Sequence, residues 1–384
     1  MTVEKLREEF GKHGIQRVKL GVFDIDGALR GKYVSLDKFY SAVTSGIGFC
    51  DVLFGWDIAD ALYDNATITG WHTGFPDAMC SIDLESFRTI PWETGTAFFL
   101  LDYQSPVAPR QVFRRVLERV QSLGLTAYLS AEYEFFVFRE TADSLRAKNF
   151  SGLTPLTQGM FGYSVIRAAA SRSLFHQLMD DLPKFGIPIE GLHTETGPGV
   201  LEAAIGVTSG LDAADRAALF KPAVKEIALA HGVVPTFMAK WSGALPGSSG
   251  HVHQSLWREG ANLFADGVAG PMRHYIAGLV RYLPELMALF CPTINSYKRT
   301  VPGYWAPINA TWGIDNRTTA IRAIPGSAKS SRIEFACRGR TSTRTSPCRP
   351  RWLPELAAWN RSSNLPTPPS WVTTQKTLGP FRAL

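Results

Sequence analysis

The chain has 384 residues, 45% of them hydrophobic and 19% charged, enough for two domains with a sizeable core and too apolar for wholesale disorder. No apolar run reaches the roughly 18–20 residues of a membrane span, and the stretch from Met1 to Leu20 is charged throughout, without the apolar centre of a signal peptide. A cytoplasmic protein with no membrane partner is the expectation, and five scattered cysteines with no C-x-x-C pair speak against a disulfide framework or a structural zinc site.

Residues 1–13 pattern as a short helix, and the alternation from Arg17 to Phe23 predicts a strand, with turn signals at Asp26-Gly27 and Gly31. This β-rich region ends near Tyr103. A proline-containing connection from Ser105 to Pro109 leads into a helix in which Val112, Phe113, Val116, Leu117, Val120 and Leu123 recur at helical spacing, with Gly124 as its stop. Leu125 to Phe138 reads as a strand, and Leu211 to His231 and Met272 to Leu289 as scaffold helices; no solenoid-period repeat is present. The fold class is α+β, with a small first domain at 1–104 and a larger one at 105–336.

Residues 337–384 differ in kind. They hold seven Arg and Lys376 against the single acid Glu355, whereas residues 1–336 carry 32 basic and 33 acidic groups. The formal net charge of +6 therefore belongs to the tail, which also holds 7 of the 24 prolines and 12 Ser or Thr. Such a composition reads as non-folding. A basic nucleic-acid arm is one interpretation, weakened because the rest of the chain is net acidic, and no nucleic-acid partner is expected.

Four stretches could carry chemistry. In A-E-Y-E-F-F, Glu132 and Glu134 are two apart in a strand and point from one face, ~7 Å apart; alone, such a strand is more often a wetted sheet face. Glu195 and Glu202 flank a Gly-Pro-Gly turn that can bring one towards the other. His251 and His253 share a strand face after the small-residue loop Pro246-Gly247-Ser248-Ser249-Gly250, which permits close approach to an anion but is not a phosphate-binding loop of Gly-Lys-Ser/Thr type. An isolated H-x-H is more often a structural pair. Between Asn295 and Glu334 lie Lys298, Arg299, Arg317, Arg322, Lys329 and Arg332 against only Asp315 and Glu334, suited to phosphate or carboxylate recognition or, equally, to a solvated basic surface. Together, carboxylates with histidine suit Mg2+ or Mn2+, and nearby arginines suit a phosphoryl group in transfer.

In this order, the four stretches resemble the glutamine synthetase family over nearly all of residues 1–335. The resemblance implies an N-terminal β-grasp domain, a catalytic domain with a curved antiparallel sheet, and homo-oligomeric rings with active sites shared between neighbours, a dodecamer where the C-terminus is intact. It implies two metal ions per site, Mg2+ or Mn2+: Glu134, Glu195 and Glu202 around the first, and Glu132, His251 and Glu334 around the second, which bridges ATP phosphates. Arg299, in the N-S-Y-K-R stretch, would bind the glutamate carboxylate beside Gly247. Arg317, Arg322 and Arg332 would face the phosphates, with His253 and Ser255 at the nucleotide. The implied reaction is phosphorylation of the γ-carboxylate of glutamate by ATP, then attack by an amine on the acyl phosphate.

Three departures qualify this. The ATP-site signature begins Lys240-Trp241 instead of Lys-Pro and carries Ser249 where the family has Gly or Ala. Ammonia-using members carry V-P-G-Y-E-A-P, and here Trp305 replaces the acid; the D-G-S-S ammonium motif is also missing, with Phe49-Cys50-Asp51-Val52 in its approximate place. An indole can wall a pocket for an organic amine but cannot take up a proton. This resembles the branch that joins glutamate to polyamines or other amines; glutamate–ammonia ligation and a catalytically impaired structural protein are the alternatives. The third departure follows Phe335, where the family continues into an arginine, P-G and N-P-Y-L-A. Loss of one base after the Phe335 codon accounts for it, because suitable synonymous codons for Ala336 to Cys348 reread one frame back give F-R-L-P-G-A-D-I-N-P-Y-L-A-M. Resequencing across codons 330–350 tests this, and a real deletion would remove part of the active-site wall.

Overall fold

The computed structural model describes residues 2–336; the reading of residues 337–384 as an aberrant tail lies outside them. Helix α1 (Val3–Lys12) starts where the Thr2 side chain accepts the Lys5 N–H, and it buries Leu6 and Phe10. Strands β1 (Arg17–Phe23) and β2 (Leu29–Val34) follow, then α2 (Leu36–Ser45), β3 (Ile47–Cys50), β4 (Asp77–Thr89) and β5 (Thr96–Tyr103). The strands form a mixed sheet in the order β2-β1-β5-β4-β3, with β1 and β5 parallel. Helix α2, capped by the Ser35 side chain, is an element that the β-rich reading of this region did not include.

All eight residues of β5 are buried, and strand alternation explains why. Ala97, Phe99, Leu101 and Tyr103 pack with Leu6, Phe10 and Phe39 under the first two helices. Phe98 and Leu100 point the other way, into a cluster with Phe135, Leu178 and Leu219 from the second half of the chain. The hydrophobic core therefore crosses the 104/105 point.

Helix α3 (Pro109–Ser122) begins with Pro109 in its first turn, so the predicted connection ends at Ala108, and Leu123 and Gly124 (φ +69°) close it. There follow β6 (Thr126–Phe138), α4 (Ala142–Ala147), α5 (Val165–Ala170), α6 (Arg172–Lys184), β7 (Ile189–Thr194), β8 (Val200–Ile205), β9 (Thr208–Ser209) and α7 (Leu211–Ala230). The chain then runs through β10 (Val234–Thr236), β11 (Gly250–Arg258), β12 (Ala261–Asn262), α8 (Gly270–Phe290), α9 (Ile294–Lys298), β13 (Trp312–Ile314), β14 (Ile321–Ile324) and β15 (Arg332–Phe335). The second sheet has the main order β13-β14-β15-β11-β6-β8-β7, antiparallel except between β13 and β14. The class is α+β as expected. Along β6, Ala131, Tyr133, Phe135 and Val137 enter the core beneath α6 and α7, which leaves Glu132 and Glu134 on the opposite face. No helix among the described residues is long and apolar enough to cross a membrane.

A buried ionic hub joins the two halves. Arg110, on α3, donates Nε and Nη2 to the two carboxylate oxygens of Asp215 on α7 at 3.0 and 2.9 Å, Nη1 to Asp102 of β5 at 2.5 Å, and Nη2 to Asp83 of β4 at 2.6 Å. Arg114 donates to the second oxygen of Asp102 at 2.6 Å. Burial raises the pKa of Asp215, and Arg110 opposes that rise. Removing one partner from such a hub strands the others: Arg110→Leu is expected to cost about 3–5 kcal/mol in urea unfolding. Arg110→Lys should recover only part of this, because one ammonium cannot reproduce the guanidinium fork.

Candidate functional site

Cross-strand register assembles the site. His251 of β11 lies opposite Glu132 of β6, and His253 opposite Glu334 of β15. Glu202 of β8 faces both Glu134 of β6 and His193 of β7, while Arg322 of β14 faces Glu334. Six adjacent strands thus hold these side chains in place through their backbone ladders. Glu195 sits in the turn between β7 and β8, where Gly199 (φ +76°) makes the reversal: a Cβ there would lie 2.6 Å from the Val137 carbonyl oxygen. That turn brings Glu195 within 3.8 Å and Glu202 within 3.6 Å of the His193 ring nitrogens.

His251 Nδ1 stands 3.4 Å from Glu132 and 3.7 Å from Glu334. Burial works against its protonation, but the Glu132 hydrogen bond and the negative field of Glu134, Glu334 and Glu202 outweigh it and raise the pKa to about 9. Burial likewise opposes ionisation of Glu132, yet His251 and His253 hold its pKa far below the usual carboxylate range. Donor atoms of Glu132, His253 and Glu334 converge within 4.8 Å of one another, as do those of Glu132, Glu202 and His251. The resemblance grouped these residues differently, with His253 at the nucleotide and Glu202 on the first metal.

Hydrogen-bond logic separates the two histidines. Arg332 donates its Nε–H to His253 Nδ1 at 3.1 Å, so the proton of a neutral His253 is assigned to Nε2, which approaches Glu132 at 3.1 Å. A protonated Nε2 cannot ligate a metal. His251 with Glu132, Glu334 and Glu202 is the set whose chemistry fits a hard divalent cation. Glu134 and Glu195 accept the backbone N–H groups of Ser249 and Thr196, both immediate neighbours of these carboxylates in space.

The arginines divide by burial. Arg322 bridges Glu334 at 2.8 Å and Asp315 at 2.5 Å. Arg332 is half-buried, and Arg317 is exposed on the turn between β13 and β14. Arg299, just past α9, is only 7% exposed; its Nη2 donates to the Ala336 carbonyl at 3.2 Å, and its buried Nε has no hydrogen-bond partner. No carboxylate of the described residues pairs with it. Gly247 is packed so closely that a Cβ would lie 2.3 Å from the Ala239 carbonyl oxygen and 2.6 Å from Arg299 Cγ.

Two predicted site residues stand apart from this cluster. Ser255 lies further along β11 and accepts the Trp257 indole N–H at 2.9 Å. Trp305 is 71% exposed at φ +56°, unusual for a bulky residue. It follows Tyr304, whose ring centroid is 4.0 Å from Lys240 Nζ. Sequence reasoning missed Tyr163, whose ring lies tilted against His193 with centroids 4.6 Å apart and whose hydroxyl feels Glu195 and Glu202. Its placement depends on a long-range bond from its N–H to the Thr194 carbonyl at 2.7 Å, for which the local sequence carries no signal.

The larger sheet of this α+β protein gathers carboxylates, two histidines and arginines, a donor set of the kind that suits divalent cations and phosphoryl groups. The family is specific. The glutamine synthetase catalytic-domain model matches residues 106–343, and the chain belongs to the glutamine synthetase family, whose members are ATP-dependent ligases forming carbon–nitrogen bonds. It is 46% identical over 335 residues to type-1 glutamine synthetase 2 of Dictyostelium discoideum, a match covering 84% of this chain and 64% of that relative, less than two thirds of its length. It is 36% identical to glutamate–isopropylamine ligase of Pseudomonas sp., over 86% of this chain and 75% of that one. Gamma-glutamylethanolamide synthetase GlnA4 of Streptomyces coelicolor is also 36% identical, over 87% and 74%. The solved structure of a GmaS/ADP complex superposes with a TM-score of 0.75 at 26% identity, covering 89% of this chain and 77% of that one.

Metal binding is directly measurable. With free Mn2+ at about 100 times its Kd, the wild-type chain should gain about 2.7 kcal/mol of stability. Glu132→Gln, which removes one anionic donor from the set around His251, should lose most of that gain in a thermal-shift titration.

Proposed function

We propose that the protein is an ATP-dependent ligase that joins the γ-carboxylate of glutamate to an organic amine through a γ-glutamyl phosphate. The observation that carries this reading is Arg299, a guanidinium 7% exposed with no carboxylate partner among the described residues. An uncompensated buried cation is costly, and a substrate carboxylate arriving beside Gly247 supplies the missing charge in bidentate geometry.

Two divalent ions, Mg2+ or Mn2+, would be held by Glu134, Glu195 and Glu202 and by Glu132, His251 and Glu334, with Glu202 close enough to Glu132 and His251 to stand between the two sets; when bound, they would neutralise phosphate charge. The chain's own residues do the rest. Arg317, Arg322 and Arg332 draw charge from the transferring phosphoryl group, while the Arg332 hydrogen bond keeps His253 oriented towards Glu132. An oxygen of the γ-carboxylate bonds to the terminal phosphorus of ATP as ADP leaves. The amine nitrogen then attacks the acyl carbon, and phosphate departs with the oxygen it acquired. The proton that the amine sheds leaves with the departing phosphate, because the indole at residue 305 is not a base; Trp305 would instead give the acceptor an apolar wall.

Two relatives named for organic amines support this acceptor class. The 46% identity to a protein named glutamine synthetase favours ammonia as the second reading. Glutamate-dependent phosphate release by the full chain, measured with ammonium and with isopropylamine, ethanolamine and a polyamine, decides between them, and the organic amines are expected to give the higher kcat/KM. Trp305→Glu should raise kcat/KM for ammonium about tenfold or more relative to the amines, because a general base is worth at least that much.

We also infer a division at 104/105 and homo-oligomeric rings with shared sites. The division is supported by a separate sheet on each side of it, although one face of β5 packs into the core of the second half; the rings would cover apolar side chains that stand exposed here, among them Trp71 at 84%, Val165 at 81% and Ile166 at 83%.

A further inference from the structure

We propose that Asn295 is a positioning residue for Arg299, acting through the loop that precedes β11. This rests on the reading of Arg299 as the carboxylate-binding group, and it extends that reading to a residue outside the reacting atoms.

Asn295 lies on α9, four positions before Arg299. Its side-chain amide treats Lys240 as one strand treats another: Oδ1 accepts the Lys240 N–H at 2.9 Å, and Nδ2 donates to the Lys240 carbonyl at 2.8 Å. Both polar groups of one backbone unit are thus satisfied by one planar side chain, which fixes position and orientation together. The loop is closed on its far side by Ser248, whose N–H bonds to the Ala239 carbonyl at 3.0 Å and whose hydroxyl bonds to the Met238 carbonyl at 2.9 Å. Between these ties sits Gly247, packed against the aliphatic stem of Arg299.

The contacts form a ring that runs from Asn295 to Lys240, through the Ala239–Ser248 closure to Gly247, and back through Arg299 to α9. Trp241 anchors the loop from outside, its indole set edge-on against Phe136 and Phe138 at 5.6 and 4.8 Å. With the loop held, the Arg299 guanidinium has one depth. Without the Asn295 clasp, the loop and helix can separate, and Arg299 gains freedom at the point where a fixed fork is required.

The test compares the full-length wild type, Asn295→Asp and Asn295→Leu. Leucine keeps the volume and removes both hydrogen bonds; aspartate keeps the acceptor alone. Steady-state phosphate release, with an amine acceptor at saturation, should show KM for glutamate raised about 10- to 100-fold in Asn295→Leu, with kcat and KM for ATP within about threefold of wild type. Asn295→Asp should fall between the two. An unchanged KM for glutamate in Asn295→Leu overturns the proposal. So does a parallel loss of kcat and of both KM values together with a lowered Tm, which would mark a residue needed only for folding. If the wild type itself shows no glutamate-dependent turnover, the ligase reading fails and this inference falls with it, a result distinct from an active wild type with an indifferent variant.

Discussion

Five carboxylates on one face of one sheet set the terms for the rest of this structure. Glu132, Glu134, Glu202 and Glu334 come from three strands and Glu195 from an adjoining turn, and mutual repulsion on a partly buried surface would scatter them were the backbone free to move. The strand ladders hold them in place. Because His251 lies opposite Glu132 and Arg322 opposite Glu334, cations are built into the register itself, and the remaining negative charge is what makes the cleft suitable for divalent ions.

The same register explains what could and could not be read from the sequence. Strand β6 was legible because its inward residues are uniformly apolar and its outward ones are not, and α3, α7 and α8 because their apolar spacing has one interpretation. The α+β class followed from those elements. Helix α2 carries Leu36, Phe39, Tyr40 and Val43 at helical spacing behind the Ser35 cap, a signal that the β-rich reading of the region passed over, and β13 and β15 are too short to establish a period. The two histidines of β11 share a face and a spacing, so their different duties depend on Arg332, which is 79 positions away from His253. Tyr163 was illegible for the same reason, since only a tertiary hydrogen bond brings it to the cleft.

Departures from the family pattern acquire a physical account in the structure. Tryptophan in place of the proline after Lys240 gives the loop an aromatic foothold on Phe136 and Phe138, the outward-facing residues of β6 beyond the carboxylates. One strand therefore supplies charge at one end of its exposed face and an apolar seat at the other. Trp305 stands exposed in a left-handed backbone conformation beside a tyrosine whose ring covers the Lys240 ammonium, so an indole occupies the position at which the family pattern has a carboxylate.

Strand β5 has a consequence for how such a protein can be recombined. Its side chains alternate between two cores, and it carries one of the three aspartates gathered on Arg110, so the first hundred residues cannot be exchanged as a cassette. A graft from another family member would have to match Phe98 and Leu100 to the receiving core and also deliver aspartates at the positions of Asp83 and Asp102. Chimaeras joined after the whole of α3 would keep the arginine with two of its partners, and they are the crossovers that a shuffled library should retain.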